Sequence, residues 1–162
     1  VVTRPDDATA LIAEVSDTLA ASALAKGLSV ITEIGEGPVC AEYDHDRMLQ
    51  VLTNLVVNAI KFTPRNGTIH LRVQRAADQF LFSVTDTGCG IPGDMLEAIF
   101  ERFWLVDHNN RRGLGLGLYI SKCIVEAHGG RIWAESKPGE GCKVTLTLPA
   151  APAIGLNAPL GA

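Results

Sequence analysis

The run Asp86-Thr87-Gly88-Cys89-Gly90-Ile91-Pro92 places a single carboxylate directly before two closely spaced glycines. Upstream, Asn54, Asn58 and Lys61 interrupt an otherwise apolar segment with helical spacing, and downstream the glycines of residues 113–117 open another helix. A carboxylate beside glycine-rich backbone, an amide-bearing helix and an anion-binding helix start are typical parts of a nucleotide pocket. Each part alone is a weak signal, but their order and spacing together predict such a pocket.

The composition fits one globular domain. The chain has 162 residues, of which 47% are hydrophobic and 20% charged, enough to bury a single core. We expect the domain to span residues 1–149, followed by a disordered tail at 150–162 that is rich in Ala, Pro and Gly. No apolar stretch approaches the roughly 20 residues that a membrane span needs, and the chain does not start with a signal peptide.

Charge and cysteine content narrow the functional class. A net charge of −4 gives no general attraction to nucleic acid, so we expect no nucleic-acid partner and a local site for any polyanion. The cysteines are far apart, with no Cys-x-x-Cys pair: Cys40, Cys89, Cys123 and Cys142. This spacing argues against a zinc site and favours free thiols in a reducing compartment.

Hydrophobic periodicity predicts alternating helices and strands. Helices are predicted at 5–27, 44–62, 92–100 and 116–127, the last with Ile120, Cys123, Ile124 and Ala127 on one face. Strands are predicted at 28–34, 68–74, 80–85, 131–136 and 142–148, and a mobile loop at 104–112. This order favours one mixed sheet with helices packed on one face, an α/β (α+β) two-layer sandwich.

The predicted helix at 44–62 carries a polar stripe. Gln50, Asn54, Asn58 and Lys61 share one helical face, which most often means only that this face is solvated. Asparagine is a poor helix former, however, and two asparagines one turn apart favour a functional reason. An amide oxygen suits Mg²⁺ that also holds phosphates and water, and a lysine one turn later can meet the same phosphates.

Asp86 ends an apolar predicted strand. It can be a simple turn residue, but Gly88, Gly90 and the following Ile-Pro indicate backbone that approaches something closely. A buried carboxylate only accepts hydrogen bonds, so it suits the exocyclic amine of adenine and repels the carbonyl oxygen of guanine. Asp86 is therefore a candidate for the residue that selects the base.

The glycines of residues 113–117 precede a helix without an acidic residue in its first turn. Such a helix start offers unpaired N–H groups and a positive dipole end, which suit phosphate, and Arg111 and Arg112 add positive charge nearby. The same glycines also fit a flexible hinge, and loop arginines are often only solvated. The spacing matches neither a Rossmann loop nor a Walker loop.

Five motifs in order resemble the ATP-binding catalytic domain of a bacterial sensor histidine kinase of the GHKL superfamily. They match its asparagine box (50–64), first glycine box (86–92), phenylalanine box (99–103), second glycine box (113–118) and last glycine box (139–141 with the following strand). The resemblance covers about residues 44–149. Leu114 stands where the family usually has a small hydroxyl residue, and Val144 replaces a common Phe.

The resemblance implies roles for individual residues. Asn58 would hold Mg²⁺ and act with Lys61 in catalysis, Phe62 would lie near the nucleotide, and Asp86 would bind adenine. Residues 104–112 would be the ATP lid, anchored by Phe100 and Phe103. The remaining ATP-binding residues implied by the match are Asn54, Gly88, Gly90, Ile91, Arg111, Arg112, Gly113, Leu114, Gly115, Leu116, Gly117, Leu118 and Thr145.

The resemblance also implies a partner, because none of His45, His70, His108 and His128 has the setting of a phosphoacceptor. We expect ATP and Mg²⁺ as cofactors, a dimerisation and phosphoacceptor domain that is N-terminal in the full protein, and a response regulator downstream. The fragment is expected to be monomeric, the full protein homodimeric, and both cytoplasmic or the cytoplasmic part of a membrane-bound sensor.

Three alternatives stay open at this point. Hydrolysing GHKL ATPases place a Glu where this chain has Asn54, so no general base for water is evident. A degenerate scaffold without catalysis is disfavoured by the intact Asn58, Lys61 and Asp86. A serine-directed kinase of the anti-sigma type stays possible because the acceptor lies outside this chain.

Overall fold

The computed structural model describes residues 1–35, 40–101 and 117–150. Within these ranges the chain forms seven strands and three α-helices. In chain order they are β1 (Arg4–Asp7), α1 (Ala8–Ala25), β2 (Ser29–Ile34), β3 (Cys40–Tyr43), α2 (His45–Phe62), β4 (Thr68–Ala76), β5 (Gln79–Asp86), α3 (Gly117–Ala127), β6 (Ile132–Ser136) and β7 (Cys142–Pro149).

Five strands form the main sheet, in the order β2-β4-β5-β7-β6. β2 pairs with β4 in parallel, and the other neighbours pair antiparallel, so the sheet is mixed as predicted. The β4–β5 hairpin is tighter than the sequence indicated, because both strands extend to leave only Ala77 and Asp78 between them. Ala77 takes a positive φ of 55° to make this turn.

The helices pack on one face of this sheet and enclose the core. α1 contributes Leu11, Ile12 and Val15, and α2 contributes Met48, Val51, Leu52, Leu55 and Val56. The sheet contributes alternate residues of its central strands: Ile69, Leu71, Val73, Phe80, Phe82, Val84, Leu146 and Leu148. Alternation sends these side chains to one face, which confirms the predicted two-layer sandwich.

A second, two-stranded sheet was missed by the sequence reasoning. β1 and β3 pair antiparallel, with Arg4 opposite Tyr43. β1 is polar and mostly exposed, so it shows no hydrophobic alternation, and its pairing is non-local. The first helix starts at Ala8 and not at the predicted residue 5, because residues 5–7 belong to β1. Asp7, part of the predicted start signal, caps α1 by accepting from the Thr9 N–H at 2.8 Å.

Two further elements differ from expectation. The predicted helix at 92–100 consists of two 3-10 turns, Gly93–Met95 and Ala98–Phe100, of which only the second buries side chains. In α3 the buried residues are Ser121, Ile124 and Val125, whereas Cys123 and Ala127 are exposed. In the first case only Ile99 and Phe100 pack into the interior, and in the second the tertiary context fixes which face is buried.

Contrary to expectation, one helix meets a length and composition criterion for a membrane span. This helix is α1, whose 18 residues are long enough and apolar enough to cross a membrane by that criterion alone. It also carries Glu14 and Asp17, and its buried residues pack against the sheet. Core helices of globular domains pass the same test, so we assign α1 to the domain core.

His45, in the first turn of α2, contacts both N-terminal elements, β1 and α1. Its Nδ1 lies 2.6 Å from the Asp6 carboxylate on β1, and its Nε2 lies 2.8 Å from the Glu14 carboxylate on α1. Because carboxylates only accept, both contacts are complete only when the imidazole is protonated. Burial by itself opposes the charge, but the hydrogen bonds to Asp6 and Glu14 outweigh it and raise the pKa of His45.

We expect His45→Gln to lower the free energy of unfolding more at about pH 5.5 than at about pH 8.5. A pKa raised in the folded state means that the charged imidazole stabilises the fold below the unfolded pKa of about 6.5. That contribution disappears as the pH rises through the folded pKa. Urea unfolding of both proteins at both pH values measures the difference, and an equal loss at the two values would contradict the charged contact.

Candidate functional site

A cavity lies where the C-terminal half of α2, the end of β5 and the start of α3 meet. The cavity volume is about 60 Å³, within a cleft of about 630 Å³ that includes open solvent. The predicted site residues that line it are Asn58, Phe62, Asp86, Gly90, Ile91 and Leu118. α2 and α3 run antiparallel here, since Asn54 of α2 reaches Gly117 at the start of α3 while Asp44 before α2 reaches His128 after α3.

Asp86 is the charged group among the residues that line this cavity. Its Oδ1 accepts from the Gly88 N–H at 2.8 Å, and the Cys142 N–H is a second donor. Burial raises the pKa of Asp86 above its ordinary value, although both backbone N–H groups work in the opposite direction. The Asp86 carboxylate is therefore a partly desolvated acceptor, and a hydrogen bond from a ligand N–H group would stabilise it.

The walls around Asp86 are apolar. Val84 and Val144 line the floor from neighbouring strands β5 and β7, where they are directly paired. The other apolar residues come from α2, the loop after β5 and α3: Leu55, Ala59, Ile91, Ile99 and Leu118. An apolar cleft with one convergent carboxylate suits a flat aromatic ring that carries an amine at its edge.

Two loops interlock at the edge of the cavity. The Gly139 N–H donates to the Cys89 carbonyl at 2.7 Å, and the Ile91 N–H donates to Ser136 Oγ at 2.7 Å. Ser136 in turn donates to the Gly141 carbonyl at 2.6 Å. The loop of the last glycine motif therefore holds the loop of the first glycine motif in place.

Close backbone approach explains two of these glycines. A Cβ at Gly90 would collide with the Lys137 carbonyl, and a Cβ at Gly141 would collide with the Asp86 carbonyl. Both residues also have positive φ, 75° and 84°. Only glycine combines this conformation with this contact.

We expect Gly141→Ala to lower the free energy of unfolding by about 3–5 kcal/mol, and Gly139→Ala by only about 1–2 kcal/mol. The two glycines share a positive φ, 84° and 81°, but among the described residues, apart from its chain neighbours, no atom lies within 4 Å of a Cβ at Gly139. The difference in the free energy of unfolding between the two variants therefore isolates the cost of the collision with the Asp86 carbonyl. Urea unfolding measures it, and equal losses would contradict the close approach.

The two asparagines of the polar stripe on α2 have different contacts. Asn58 lines the cavity, whereas the Asn54 amide donates to the Gly117 carbonyl at 3.4 Å. The Ser121 hydroxyl donates to the same carbonyl at 2.8 Å. Asn54 therefore fixes the start of α3 and is not part of the cavity lining, although the sequence placed it among the ligand-binding residues.

Lys61 and Phe62 end α2 beside the cavity. Phe62 lines it, and Lys61 Nζ lies 5.2 Å from the centre of the Phe62 ring. Lys26 caps this end of α2. Its Nζ donates to the backbone carbonyl of Ile60 at 2.6 Å and to the backbone carbonyl of Lys61 at 3.0 Å. Sequence reasoning missed Lys26, because its partners lie in another helix.

The donor set allows a divalent cation at one place in the cavity. In the described part of the chain no group of three or more His, Cys, Asp or Glu residues can hold a metal ion. The Asn58 amide oxygen is one hard ligand, and Mg²⁺ commonly completes its shell with substrate phosphates and water. The residues present therefore fit Mg²⁺ that arrives with a phosphorylated ligand.

Other predicted site residues are not at the cavity. Thr145 is buried in β7 but does not line it, because its neighbour Val144 does and alternate strand residues face opposite sides. Gly88 and Gly117 support the lining through backbone contacts. Phe103, the lid at 104–112 and Arg111, Arg112, Gly113, Leu114, Gly115 and Leu116 lie outside the described residues, as do 151–162 of the expected tail.

Several lining residues were not named from the sequence. Cys142 faces the cavity because the register places it opposite Asp86. Val84 precedes Asp86 by two positions on the same strand, so strand alternation was a usable signal. Leu55 precedes Ala59 by one helical turn, which was a second usable signal.

Comparison with known proteins identifies the class of this domain. The chain belongs to the family described as "Histidine kinase-, DNA gyrase B-, and HSP90-like ATPase", which matches residues 43–152. Within this class it has the catalytic-domain fold of the sensor histidine kinases.

The similar proteins are sensor kinases. The sensor protein kinase WalK of Staphylococcus epidermidis is 41% identical over 130 residues, which is 77% of this chain and 21% of WalK. The WalK of Bacillus subtilis is 41% identical over 124 residues, 74% of this chain and 20% of that protein. The chain therefore spans about a fifth of the length of these two relatives.

Solved structures give the same result. The catalytic domain of histidine kinase ThkA superposes with a TM-score of 0.84 at 30% identity, covering 94% of this chain and 100% of that one. ThkA in complex with response regulator protein TrrA gives a TM-score of 0.79, covering 93% and 42% of the chains. Full-length ShkA in complex with AMPPNP gives 0.85 at 30% identity, covering 93% and 32%.

Proposed function

We propose that this chain is the catalytic domain of a sensor histidine kinase, which transfers the γ-phosphoryl group of ATP to a histidine on a separate dimerisation and phosphoacceptor domain. One observation carries this proposal. The desolvated Asp86 carboxylate lies in an apolar cavity whose lining also includes Asn58 and the first turn of α3. A base-selecting group and candidate groups for the phosphates therefore lie around one space.

The residues divide into groups for base, metal and phosphate. Asp86 accepts from the exocyclic amine of adenine, with Val84 and Val144 against the ring. Asn58 supplies one oxygen ligand to Mg²⁺, which offsets negative charge on the phosphates. Lys61, beside Phe62 at the end of α2, meets the phosphates as a cation. Arg111, Arg112 and the glycine-rich segment at 113–116 are proposed to complete the phosphate cradle.

The start of α3 has a defined role in this proposal. Its N–H groups and positive dipole end favour the phosphates, and Asn54 and Ser121 fix its first carbonyl at Gly117. The partner imidazole nitrogen then bonds to the γ-phosphorus, the bond from phosphorus to the β-phosphate oxygen breaks, and ADP leaves. Catalysis by this chain is positioning and charge stabilisation.

The proposed partners rest on two histidines in the described part of the chain. His45 is held by Asp6 and Glu14, and His128 accepts from the Asp44 N–H, so neither of these two is presented as a nucleophile. We propose a phosphoacceptor domain that precedes this one, a homodimeric full protein and a response regulator as the next acceptor. ThkA, solved with a response regulator, supports the last step. ATP supply and four free cysteines favour a cytoplasmic location.

An ATP-hydrolysing function is the second candidate, and Asn54 disfavours it. The position that would carry a water-activating Glu holds an amide that already donates to Gly117. An amide cannot take a proton from water at neutral pH. A purely structural scaffold is disfavoured by the partly buried acceptor Asp86, which the apolar cavity leaves ready for a ligand.

We expect the isolated chain, incubated with γ-labelled ATP, to show little self-labelling and only slow hydrolysis. Adding a matching phosphoacceptor domain should place acid-labile, base-stable label on that partner, as phosphohistidine requires. Fast turnover by the isolated chain would favour the ATPase, and acid-stable label would indicate serine or threonine. Nucleotide binding without transfer to any cognate partner would favour the scaffold.

A further inference from the structure

The end of α2 meets the base side of the cavity through its backbone. The Phe62 carbonyl lies against Gly88, where a Cβ would lie 2.5 Å from the carbonyl oxygen. Gly88 is buried, and its N–H donates to Asp86 Oδ1 at 2.8 Å. A shift of this helix end would therefore move the loop that holds the Asp86 carboxylate.

A side chain from α1 holds the last turn of α2. An α-helix leaves its last four backbone carbonyls without partners inside the helix. Thr63, the residue after α2, is extended, and Pro64 disfavours any continuation of the helix there. Lys26, the cap residue of α1, donates from Nζ to the Ile60 and Lys61 carbonyls at 2.6 and 3.0 Å. One ammonium group therefore satisfies two of the last carbonyls of α2.

The turn between α1 and β2 also holds the loop that follows α2. The Gly27 carbonyl accepts from the Asn66 N–H at 3.0 Å. The Ser29 N–H donates to the Gly67 carbonyl, also at 3.0 Å. These backbone contacts fix the loop against the turn. Lys26 therefore reaches the end of α2 from a turn that is itself held in place.

The charge of Lys26 suits its position. The C-terminal end of a helix carries a partial negative charge, which a cation in contact with the last carbonyls offsets. Lys26 is partly buried, and it is not among the residues that line the cavity in the described part of the chain. It can therefore act on a nucleotide through α2 and not by contact.

We propose that Lys26 is a positioning residue of the nucleotide site. By holding the last turn of α2, it keeps Phe62 and, through Gly88, the Asp86 carboxylate in the geometry that binds the base. This inference rests on the proposed function and adds to it a residue that contacts no part of the nucleotide.

Lys26→Met removes the ammonium group and keeps an apolar stem of similar length. Its affinity for Mg·ADP should be about 5- to 20-fold lower than that of the unchanged protein, because the last turn of α2 loses its cation. The preference for Mg·ADP over Mg·GDP should shrink as well, because Asp86 is no longer held against the base. Calorimetric titration with both nucleotides measures the two effects.

Two further variants separate positioning from stability. Asp7→Ala removes the cap at the other end of α1, so it should lower the free energy of unfolding comparably and leave both affinities unchanged. Lys26→Arg keeps a cation that can donate to two carbonyls, so its affinity should be within about twofold of the unchanged protein. Amide spectra without nucleotide should show shifts at Phe62 and Gly88 in Lys26→Met but not in Asp7→Ala.

The outcomes distinguish this role from the proposed function. Lys26→Met that loses stability but keeps its affinity and its preference for ADP would overturn this inference alone, as would an equal loss of affinity in Asp7→Ala. If Lys26→Met does not fold, the milder Lys26→Gln takes its place, and full affinity of that variant would have the same meaning. Unchanged protein that binds no Mg·ADP would overturn the proposed function, and this role of Lys26 with it.

Discussion

Asp86→Asn is expected to weaken binding of Mg·ADP roughly 10- to 150-fold, because a hydrogen bond to a charged acceptor contributes about 1.5–3 kcal/mol. The substitution turns part of the acceptor into a donor, which then faces the adenine amine. The preference for adenine over guanine should shrink in parallel. Calorimetric titration of both proteins with ADP and GDP measures both effects.

The fold should tolerate this substitution. Asparagine keeps an oxygen for the Gly88 N–H, and it relieves the desolvation that raises the Asp86 pKa. Asp78→Asn, in the exposed turn between β4 and β5, is the matched control and should leave affinity unchanged. Equal affinity of Asp86→Asn and the unchanged protein would remove Asp86 from the base site.

Asn58→Ala is expected to remove the magnesium-dependent part of nucleotide binding. Asn58 is the amide in the cavity lining, and alanine is the better helix former, so the melting temperature should not fall. The affinity ratio for ADP with and without Mg²⁺ should drop to within about twofold of one. Titration in Mg²⁺ and in a chelator, together with a melting curve, tests this.

Gln50→Ala is the matched control for this variant. Gln50 lies two turns earlier on the same polar stripe and accepts from Arg47 at 3.2 Å, away from the cavity. It should keep the full dependence on Mg²⁺. Unfolding of Asn58→Ala would mean instead that the amide is a structural group of α2.

The sequence predicted the main sheet and the helix layer because these elements follow hydrophobic periodicity. β4 and β5 alternate clearly, and the buried face of α2 repeats at helical spacing. β1 and β3 could not be predicted in this way. β1 is polar, and its four residues pair with β3, which lies far from β1 in the sequence.

The motifs predicted the cavity lining only in part, and tertiary geometry explains the rest. Asp86 and Asn58 were predicted because their chemistry is unusual for their position, and both line the cavity. Asn54 and Thr145 belong to the same motifs, yet one contacts Gly117 and the other lies in β7 beside a residue that faces the cavity. Cys142 carries no motif of its own, and only strand register brings it opposite Asp86.

Mapping the nucleotide by NMR tests the central claim most directly. Backbone amide spectra of the labelled chain titrated with Mg·ADP should show shifts concentrated at Asn58, Phe62, Asp86, Gly88 and Leu118, with much smaller shifts for Mg·GDP. Asn58, Phe62, Asp86 and Leu118 line the cavity, and the Gly88 N–H donates to Asp86. Shifts centred on the groove at Arg4, His45 and Arg47, or no shifts at all with Mg·ADP, would contradict the assignment of the cavity as the ATP site.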